Sequence, residues 1–234
     1  MPATRHLSLA FALSLLLATG LAAAASDGVA VEGADIDKVN GSITAESGQT
    51  YGNLETVNGS IRIEDGAHAR DAQTVNGGIK AGDAIEAGDL GTVNGGIRIG
   101  TRARISGGIE TVNGGIFVDR GGSVANGIET VNGAIGIVAT ELGGGIETVN
   151  GDITVGIDSH VRGGIKVSKP TSNWMPIKFG NNRKPRIVIG PNAVVDGDMV
   201  FEREVTLYVH ASARIGTVTG ATPVAFDTPS APRD

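Results

Sequence analysis

Residues 147–155 have the sequence Glu-Thr-Val-Asn-Gly-Asp-Ile-Thr-Val, and the triplet Val-Asn-Gly inside this stretch occurs seven times in the chain. Successive triplets are separated by 18, 18, 18, 19, 19 and 18 residues. A period this regular is interpreted before any single motif, because it sets the architecture of the whole chain. The triplets begin at Val39, Val57, Val75, Val93, Val112, Val131 and Val149.

Apolar residues keep the same period. Two of them follow each triplet two positions apart, which is the alternation of a β-strand, and Asn-Gly and Gly-Gly steps mark turns. A repeat this short and this rich in glycine and β-branched residues predicts an all-β, single-stranded parallel β-helix (solenoid) with about three short strands in each 18–19-residue coil. Equivalent residues would then stack about 4.8 Å apart. The clearest apolar columns are Ile97/Ile116/Ile135/Ile153, Ile99/Val118/Ile137/Val155 and Ile109/Ile128/Ile146/Ile165.

The asparagines of the triplets are predicted to form a structural ladder at one bend of the coil. We expect each side chain to bond the backbone of the coils on either side. The glycine that follows is expected to adopt a positive φ. The ladder consists of Asn40, Asn58, Asn76, Asn94, Asn113, Asn132 and Asn150.

Altered copies of the repeat continue to residue 218, which predicts nine or ten coils and a rod about 45 Å long. The predicted organisation is a signal peptide at 1–25, the β-helix at 26–220 and a disordered tail at 221–234. An insertion at 168–186 interrupts the coils. The tail is assigned from Pro223, Pro229 and Pro232.

The first 25 residues have the pattern of a secretory signal peptide. Arg5 and His6 precede an apolar segment at 7–17, and small residues occupy 22–26, where a peptidase would cleave. The apolar segment is short for a membrane span of about 20 residues. We therefore expect export to the periplasm or the extracellular space.

Composition excludes several classes of protein. The chain has 37 glycines among 234 residues but no Gly-X-Y period, which excludes collagen, and its 40% hydrophobic content is too high for a disordered chain. It has no cysteine, which excludes disulfides, thiolate metal sites and thiol catalysis. The net charge of −6 and the predicted export argue against nucleic-acid binding.

The repeated phrase Glu-Thr-Val-Asn-Gly-x-Ile-x-Val resembles the β-strand repeat of bacterial adhesin-type proteins of unknown function. The C-terminal phrase from Ile187 to Ile215 is similar to that of bactofilins, the polymer-forming bacterial cytoskeletal proteins. The resemblance covers most of the chain after residue 25 and implies a right-handed β-helix and self-assembly.

The insertion is predicted to be a binding loop for an envelope polysaccharide, a lipid surface or a protein partner. From Lys166 to Arg186 it holds six basic residues and no acidic one, together with the only tryptophan. The alternative is an insertion that only packs on the wall of the rod. The candidate residues are Lys169, Trp174, Lys178, Phe179, Arg183, Lys184 and Arg186.

No residue is predicted to be catalytic, to bind a cofactor or to ligate a metal. The histidines after the leader, His68, His160 and His210, lack metal-ligand spacing. A carbohydrate-active β-helix enzyme of the lyase or hydrolase type is the main enzymatic alternative. Such an enzyme would need clustered carboxylates, or basic residues with sugar-stacking aromatics, in a groove. The column Glu55, Glu110, Glu129 and Glu147 is interpreted instead as a surface ladder whose charges splay into water.

An ice- or surface-binding protein is the other alternative, because threonine forms a column two residues before the asparagines. Two phases of this strand remain open: either threonine points inward, or valine does and threonine is exposed. The column consists of Thr56, Thr74, Thr92, Thr111, Thr130 and Thr148.

The favoured function is a non-catalytic structural or adhesive rod of the bacterial envelope, with a second copy of the chain as a candidate partner.

Overall fold

The computed structural model describes residues 33–170 and 183–232, and these residues form strands and bends without any helix. The predicted signal peptide at 1–25 lies outside the described residues. The strands are β1 (Ala34–Asn40), β2 (Ile43–Ala45), β3 (Tyr51–Asn58), β4 (Ile61–Ile63), β5 (Ala72–Asn76), β6 (Ile79–Ala81), β7 (Glu86–Ala87), β8 (Leu90–Asn94), β9 (Ile97–Ile99), β10 (Arg104–Ile105), β11 (Ile109–Asn113), β12 (Ile116–Val118), β13 (Ser123–Val124), β14 (Ile128–Asn132), β15 (Ile135–Ile137), β16 (Glu141–Leu142), β17 (Ile146–Thr148), β18 (Ile153–Val155), β19 (His160–Val161), β20 (Ile165–Val167), β21 (Arg186–Ile189), β22 (Val194–Val195), β23 (Met199–Phe201), β24 (Thr206–His210), β25 (Arg214–Ile215), β26 (Val218–Thr219) and β27 (Pro223–Phe226).

The strands form three parallel sheets that run the length of a β-solenoid, which confirms the predicted fold. Sheet A has the order β1-β3-β5-β8-β11-β14-β17-β20-β23-β26, and sheet B the order β2-β4-β6-β9-β12-β15-β18-β21-β24-β27. Sheet C is shorter, with the order β7-β10-β13-β16-β19-β22-β25. Each coil contributes one strand to sheets A and B, and the ten strands of each sheet correspond to ten coils.

The core consists of the predicted aliphatic columns. Ile97 pairs with Ile116 and Ile116 with Ile135, so identical side chains stack on one another along sheet B. Their side chains are fully buried, as are those of Ile109 and Ile128 on sheet A. Burying an aliphatic side chain of this size contributes about 1.5–3 kcal/mol. The solenoid is therefore stabilised coil by coil rather than by one central cluster.

Threonine points inward on sheet A, which settles the phase that the sequence left open. Thr74 and Thr111 are 1% and 5% exposed, whereas Val57 is 37% exposed. The buried hydroxyl has a fixed partner, because Thr74 Oγ1 donates to the Gly59 carbonyl of the preceding coil at 2.7 Å. Thr56, Thr92, Thr111 and Thr130 make the same bond to Gly41, Gly77, Gly95 and Gly114. The threonine lattice on which the ice-binding alternative depended is thus inside the rod.

The glycine of each triplet is required by the close approach of neighbouring coils, and the predicted positive φ is wrong for most of the column. Gly41 and Gly133 have φ of 116° and 156°, but Gly95 and Gly114 are outside that region. A Cβ at Gly114 would overlap the Gly95 carbonyl oxygen, the same oxygen that accepts the hydrogen bond from Thr111. The small residue at 114 and the inward threonine at 111 therefore both depend on the position of the same carbonyl oxygen.

The left-handed conformation occurs instead at the bend between sheets B and C. Gly48, Gly66 and Gly121 occupy it with φ of 68°, 67° and 75°, and other residue types occupy it in five further coils. A non-glycine residue in this region is strained by about 1 kcal/mol or more. The non-glycine residues are Ala84, Arg102, Ala139, Asp158 and Asn192, with φ between 43° and 56°.

The predicted disordered tail at 221–234 is wrong for residues 221–232. Pro223–Phe226 form β27, which pairs with β24 and adds a tenth strand to sheet B. Phe226 packs with Val188 and Tyr208, and Ala231 lies against this cluster. Proline is tolerated here because β27 is an edge strand and Pro223 is its first residue.

Candidate functional site

The outward face of sheet B carries a row of three cations. Arg62, Lys80 and Arg98 occupy the same position in β4, β6 and β9, each between two buried core residues, and all three are exposed. We call these three residues the basic strip. Successive members lie one strand spacing apart, about 4.8 Å between backbones. Phe117 follows in β12 as the next residue in the row.

A trough of about 640 Å³ lies along the basic strip. One of its sides is a column of small residues, Gly78, Gly96, Gly115 and Ala134. The column tolerates side chains, because Ser60 and Ala134 occupy the equivalent position in other coils. Glycine in the three middle coils therefore leaves the trough open beside the cations.

Phe117 holds one end of the basic strip. The guanidinium of Arg98 lies over its ring, 5.1 Å from the centroid. The ring in turn lies above Gly136, where a Cβ would approach it to 3.3 Å. A cation–π contact at an exposed site contributes about 0.5–1 kcal/mol, which is enough to favour one orientation of Arg98.

Few acidic groups neutralise the basic strip. Arg62 has a loose ion pair with Glu64 at 3.7 Å. Lys80 and Arg98 have no ion-pair partner within residues 33–170 and 183–232, and glycine stands two residues before and after each of them. Several other cations of the rod are paired, such as Arg104 with Glu86 at 3.2 Å.

The predicted binding loop lies at the bend between sheets A and B, where β20 ends and β21 begins. Its candidate residues Trp174, Lys178 and Phe179 lie outside the described residues. The described ones contact the coils: Arg183 pairs with Asp152 at 2.6 Å and Lys184 with Glu204 at 2.9 Å. The hydrogen bond and charge of Lys184 lower the pKa of Glu204.

The remaining described residues of the loop also contact the rod. The backbone N–H of Lys169 donates to Glu202, and the Arg186 guanidinium lies 5.0 Å from the Tyr208 ring centroid and donates to the Pro232 carbonyl. These contacts anchor both ends of the insertion to the coils. The role of the loop in binding stays a prediction.

The asparagines of the triplets form a continuous ladder, but its bonds differ from those expected. Asn113 Nδ2 donates to Asn94 Oδ1 at 3.1 Å, and Asn132 Nδ2 donates to Asn113 Oδ1 at 3.0 Å. The partners are side chains of the adjacent coils rather than backbone, and the column is exposed. Equivalent bonds join Asn58 to Asn40, Asn76 to Asn58, Asn94 to Asn76 and Asn150 to Asn132. Arg203 ends the ladder by donating to Asn150 Oδ1 at 2.6 Å.

The glutamate column does not splay into water as predicted. Glu110, Glu129 and Glu147 stack in register on sheet A and are half-buried. Burial, and then the charges of Glu110 and Glu147, raise the pKa of Glu129 to about 7. Burial also raises the pKa of Glu55, which stands apart from the other three because Gln73 and Gly91 occupy the intervening coils.

One histidine lies between two carboxylates on sheet C. His160 Nε2 is 2.7 Å from Asp196 Oδ2, and its Nδ1 is 3.4 Å from Glu141 Oε2. The two carboxylates contact opposite ring nitrogens, so they do not converge on one point. A simpler version recurs in the same column, where His68 Nδ1 is 3.2 Å from Glu86 Oε2. Within the described ranges, no group of three metal-ligating side chains is arranged to hold an ion.

The basic strip is not among the predicted site residues, although the sequence contains a signal for it. Once the columns Ile97/Ile116 and Ile99/Val118 are assigned to the core, the residue between them must point outward. At that position the chain has Arg62, Lys80 and Arg98 in three consecutive coils. The outward column of the repeat therefore predicts the strip as directly as the inward columns predict the core.

Comparison with known proteins gives no relative. No protein-family model matches the chain, and neither a curated protein nor a solved structure matches it. The likeness to bactofilins and adhesin-type repeats therefore depends on short repeat phrases, and the structure bears it out only as far as the parallel β-solenoid. In the part of the chain that is described, no helix has the length and hydropathy needed to cross a bilayer.

Proposed function

We propose that this chain is a non-catalytic rod exported to the bacterial envelope, where it has a structural or adhesive role. The observation that carries the proposal is the continuity of its surface. Side chains at one position bond to the same position in the next coil, as Asn113 does to Asn94 and Asn132. Such a surface presents extended rows to a partner rather than one enclosed pocket.

Export is supported by the signal-peptide pattern of residues 1–25. Expression of the whole chain in a bacterial host, followed by fractionation and determination of the N-terminal residue, tests this part. We expect the protein outside the cytoplasm, with a new N-terminus near Ser26. A cytoplasmic protein that retains Met1 would contradict export.

Adhesion is tested by cosedimentation of the purified protein with isolated envelope fragments. We expect saturable sedimentation of the rod with the fragments. A rod that stays in the supernatant at all fragment concentrations would contradict the adhesive role.

The enzymatic alternative has one specific group in its favour, His160 between Asp196 and Glu141. Incubation with acidic polysaccharides and an assay for new chain ends separates the two functions. We expect no products. Products that disappear in a His160→Ala variant would establish the enzyme and contradict the rod as sole function.

A further inference from the structure

We propose that the basic strip and its trough bind an extended acidic polysaccharide whose sugars carry carboxylates. This inference rests on the adhesive role proposed above and names the chemistry of the partner. The strip lies on sheet B, in coils distinct from the predicted binding loop at 168–186.

The stacked charges of the basic strip favour an anionic partner. Like charges directly opposite one another on adjacent strands are destabilising, yet Arg62, Lys80 and Arg98 are stacked in three consecutive coils. On sheet C, by contrast, Arg104 lies opposite an acid, Glu86, and pairs with it at 3.2 Å. Beside Lys80 and Arg98 the flanking positions are glycines instead. An external polyanion would supply the missing counter-charge.

Shape is the second argument. The strip is one residue wide and runs along the trough of about 640 Å³. Two strand spacings separate its ends, about 10 Å, which is the length of a short oligosaccharide. The glycine side of the trough leaves room for sugar rings. Cation–π contact with Phe117 holds Arg98 in place.

The same features favour a polysaccharide over other anionic partners. A membrane surface is broad and flat, and binding it requires a wide basic face or apolar side chains that insert. Each strand of a nucleic acid duplex carries a phosphate about every 3.4 Å, which does not match the spacing of about 4.8 Å between successive cations of the strip. A single row of cations in a groove fits one extended chain that carries a charge on each sugar.

The experiment measures binding of the purified chain to polygalacturonate, with neutral dextran as the uncharged polymer. The test variant is Lys80→Gln with Arg98→Gln. The matched control is Arg104→Gln with Arg162→Gln, which removes the same charge from exposed residues on the sheet C side. Thermal melts establish that both variants are folded.

We expect the wild-type chain to bind polygalacturonate but not dextran, with an affinity that falls as salt is added. The test variant should bind about tenfold more weakly, since it loses two direct charge contacts. The control variant should bind within about twofold of wild type. Equal weakening of both variants would show that only net charge matters and would overturn the proposal.

Two further arms test the other anionic partners. Vesicles of phosphatidylcholine and phosphatidylglycerol, and single-stranded DNA, are offered to the same proteins. Tighter strip-dependent binding to either than to polygalacturonate would overturn the polysaccharide assignment.

Wild type and test variant are also sedimented with envelope fragments. Equal sedimentation of the two proteins would refute the strip as the binding site and leave the adhesive role intact. Strip-dependent binding of polygalacturonate without any binding to envelope fragments would support the strip and contradict the adhesive role.

Discussion

Each interior asparagine of the ladder contributes through two exposed side-chain bonds, one to each adjacent coil. We expect Asn113→Ala to lower the free energy of unfolding by about 1 kcal/mol, because it breaks the bonds to Asn94 and Asn132 and exposed hydrogen bonds contribute little each. Chemical denaturation measures the change. Asn126→Ala, at an exposed bend outside the ladder, is the control. Equal values for both variants would mean that the ladder adds nothing to stability.

Glu129 makes the stability of the rod depend on pH. Its pKa is raised from 4.5 to about 7 by burial and by Glu110 and Glu147, so the folded chain holds this proton more tightly than the unfolded chain. Stability from this group is therefore complete below pH 4.5 and is lost as pH rises through about 7.

Glu129→Gln should remove that loss. Above pH 7 we expect the variant to exceed wild type by about 1–2 kcal/mol, after allowance for solvent screening of a half-exposed group. Melting curves across this pH range provide the measurement, with the exposed Glu46→Gln as control. Parallel pH profiles for Glu129→Gln and wild type would contradict the shifted titration.

At the scale of the element, two adjacent glycines after β11 have different reasons to be glycine. A Cβ at Gly114 would overlap the Gly95 carbonyl, whereas a Cβ at Gly115 would come to 3.1 Å of the Ala134 carbonyl, in a column that already accepts Ala134. We expect Gly114→Ala to cost about 3 kcal/mol and Gly115→Ala less than about 1 kcal/mol. Denaturation of the two variants side by side checks this difference. Similar costs would show that the neighbouring coil moves to make room.

The positions of the strands were predictable, but the inward-facing side of the Thr-Val-Asn strands of sheet A was not. Ile97 and Ile99 identify an inward face because their neighbours are polar or glycine. In Thr-Val-Asn, however, threonine and valine are both β-branched and fit either face of a strand. The choice depends on the Gly59 carbonyl that accepts the Thr74 hydroxyl, a partner from another coil. The residues around Thr74 in the sequence do not indicate that bond, because its acceptor belongs to another coil.

The C-terminal strand and the half-buried glutamates were missed for related reasons. Prolines at 223 and 229 are typical of a disordered segment, but Phe226 finds an apolar partner in Tyr208 on the preceding coil. The charges of Glu110 and Glu129 suggested exposure, whereas their actual burial depends on how the surrounding coils pack. In both cases the burial depends on packing between coils, which the periodic pattern of the sequence does not predict.

At the scale of the whole molecule, β27 covers one end of sheet B. Removing residues 221–234 would expose the backbone edge of β24 and the side chains of Val188 and Tyr208. Exposed strand edges pair with other chains. We expect this truncation to produce end-to-end oligomers that grow with concentration and to lower the melting temperature by about 5 °C.

Sedimentation at several concentrations measures the association. A shorter truncation that removes only 227–234 retains β27 and should associate no more than wild type does. If both truncated forms stay monomeric at every concentration, the exposed edge does not drive assembly and the self-assembling rod loses its support.

The ladder that ends at Arg203 also has an electrical direction. Every asparagine amide donates toward the lower-numbered coil, so the side-chain dipoles from Asn40 to Asn150 are aligned and polarise one another. As with peptide dipoles in an α-helix, the sum leaves a partial negative charge at the acceptor end, where the Arg203 guanidinium lies 2.6 Å from Asn150 Oδ1. A carboxylate at position 203 would therefore oppose the whole column rather than a single amide.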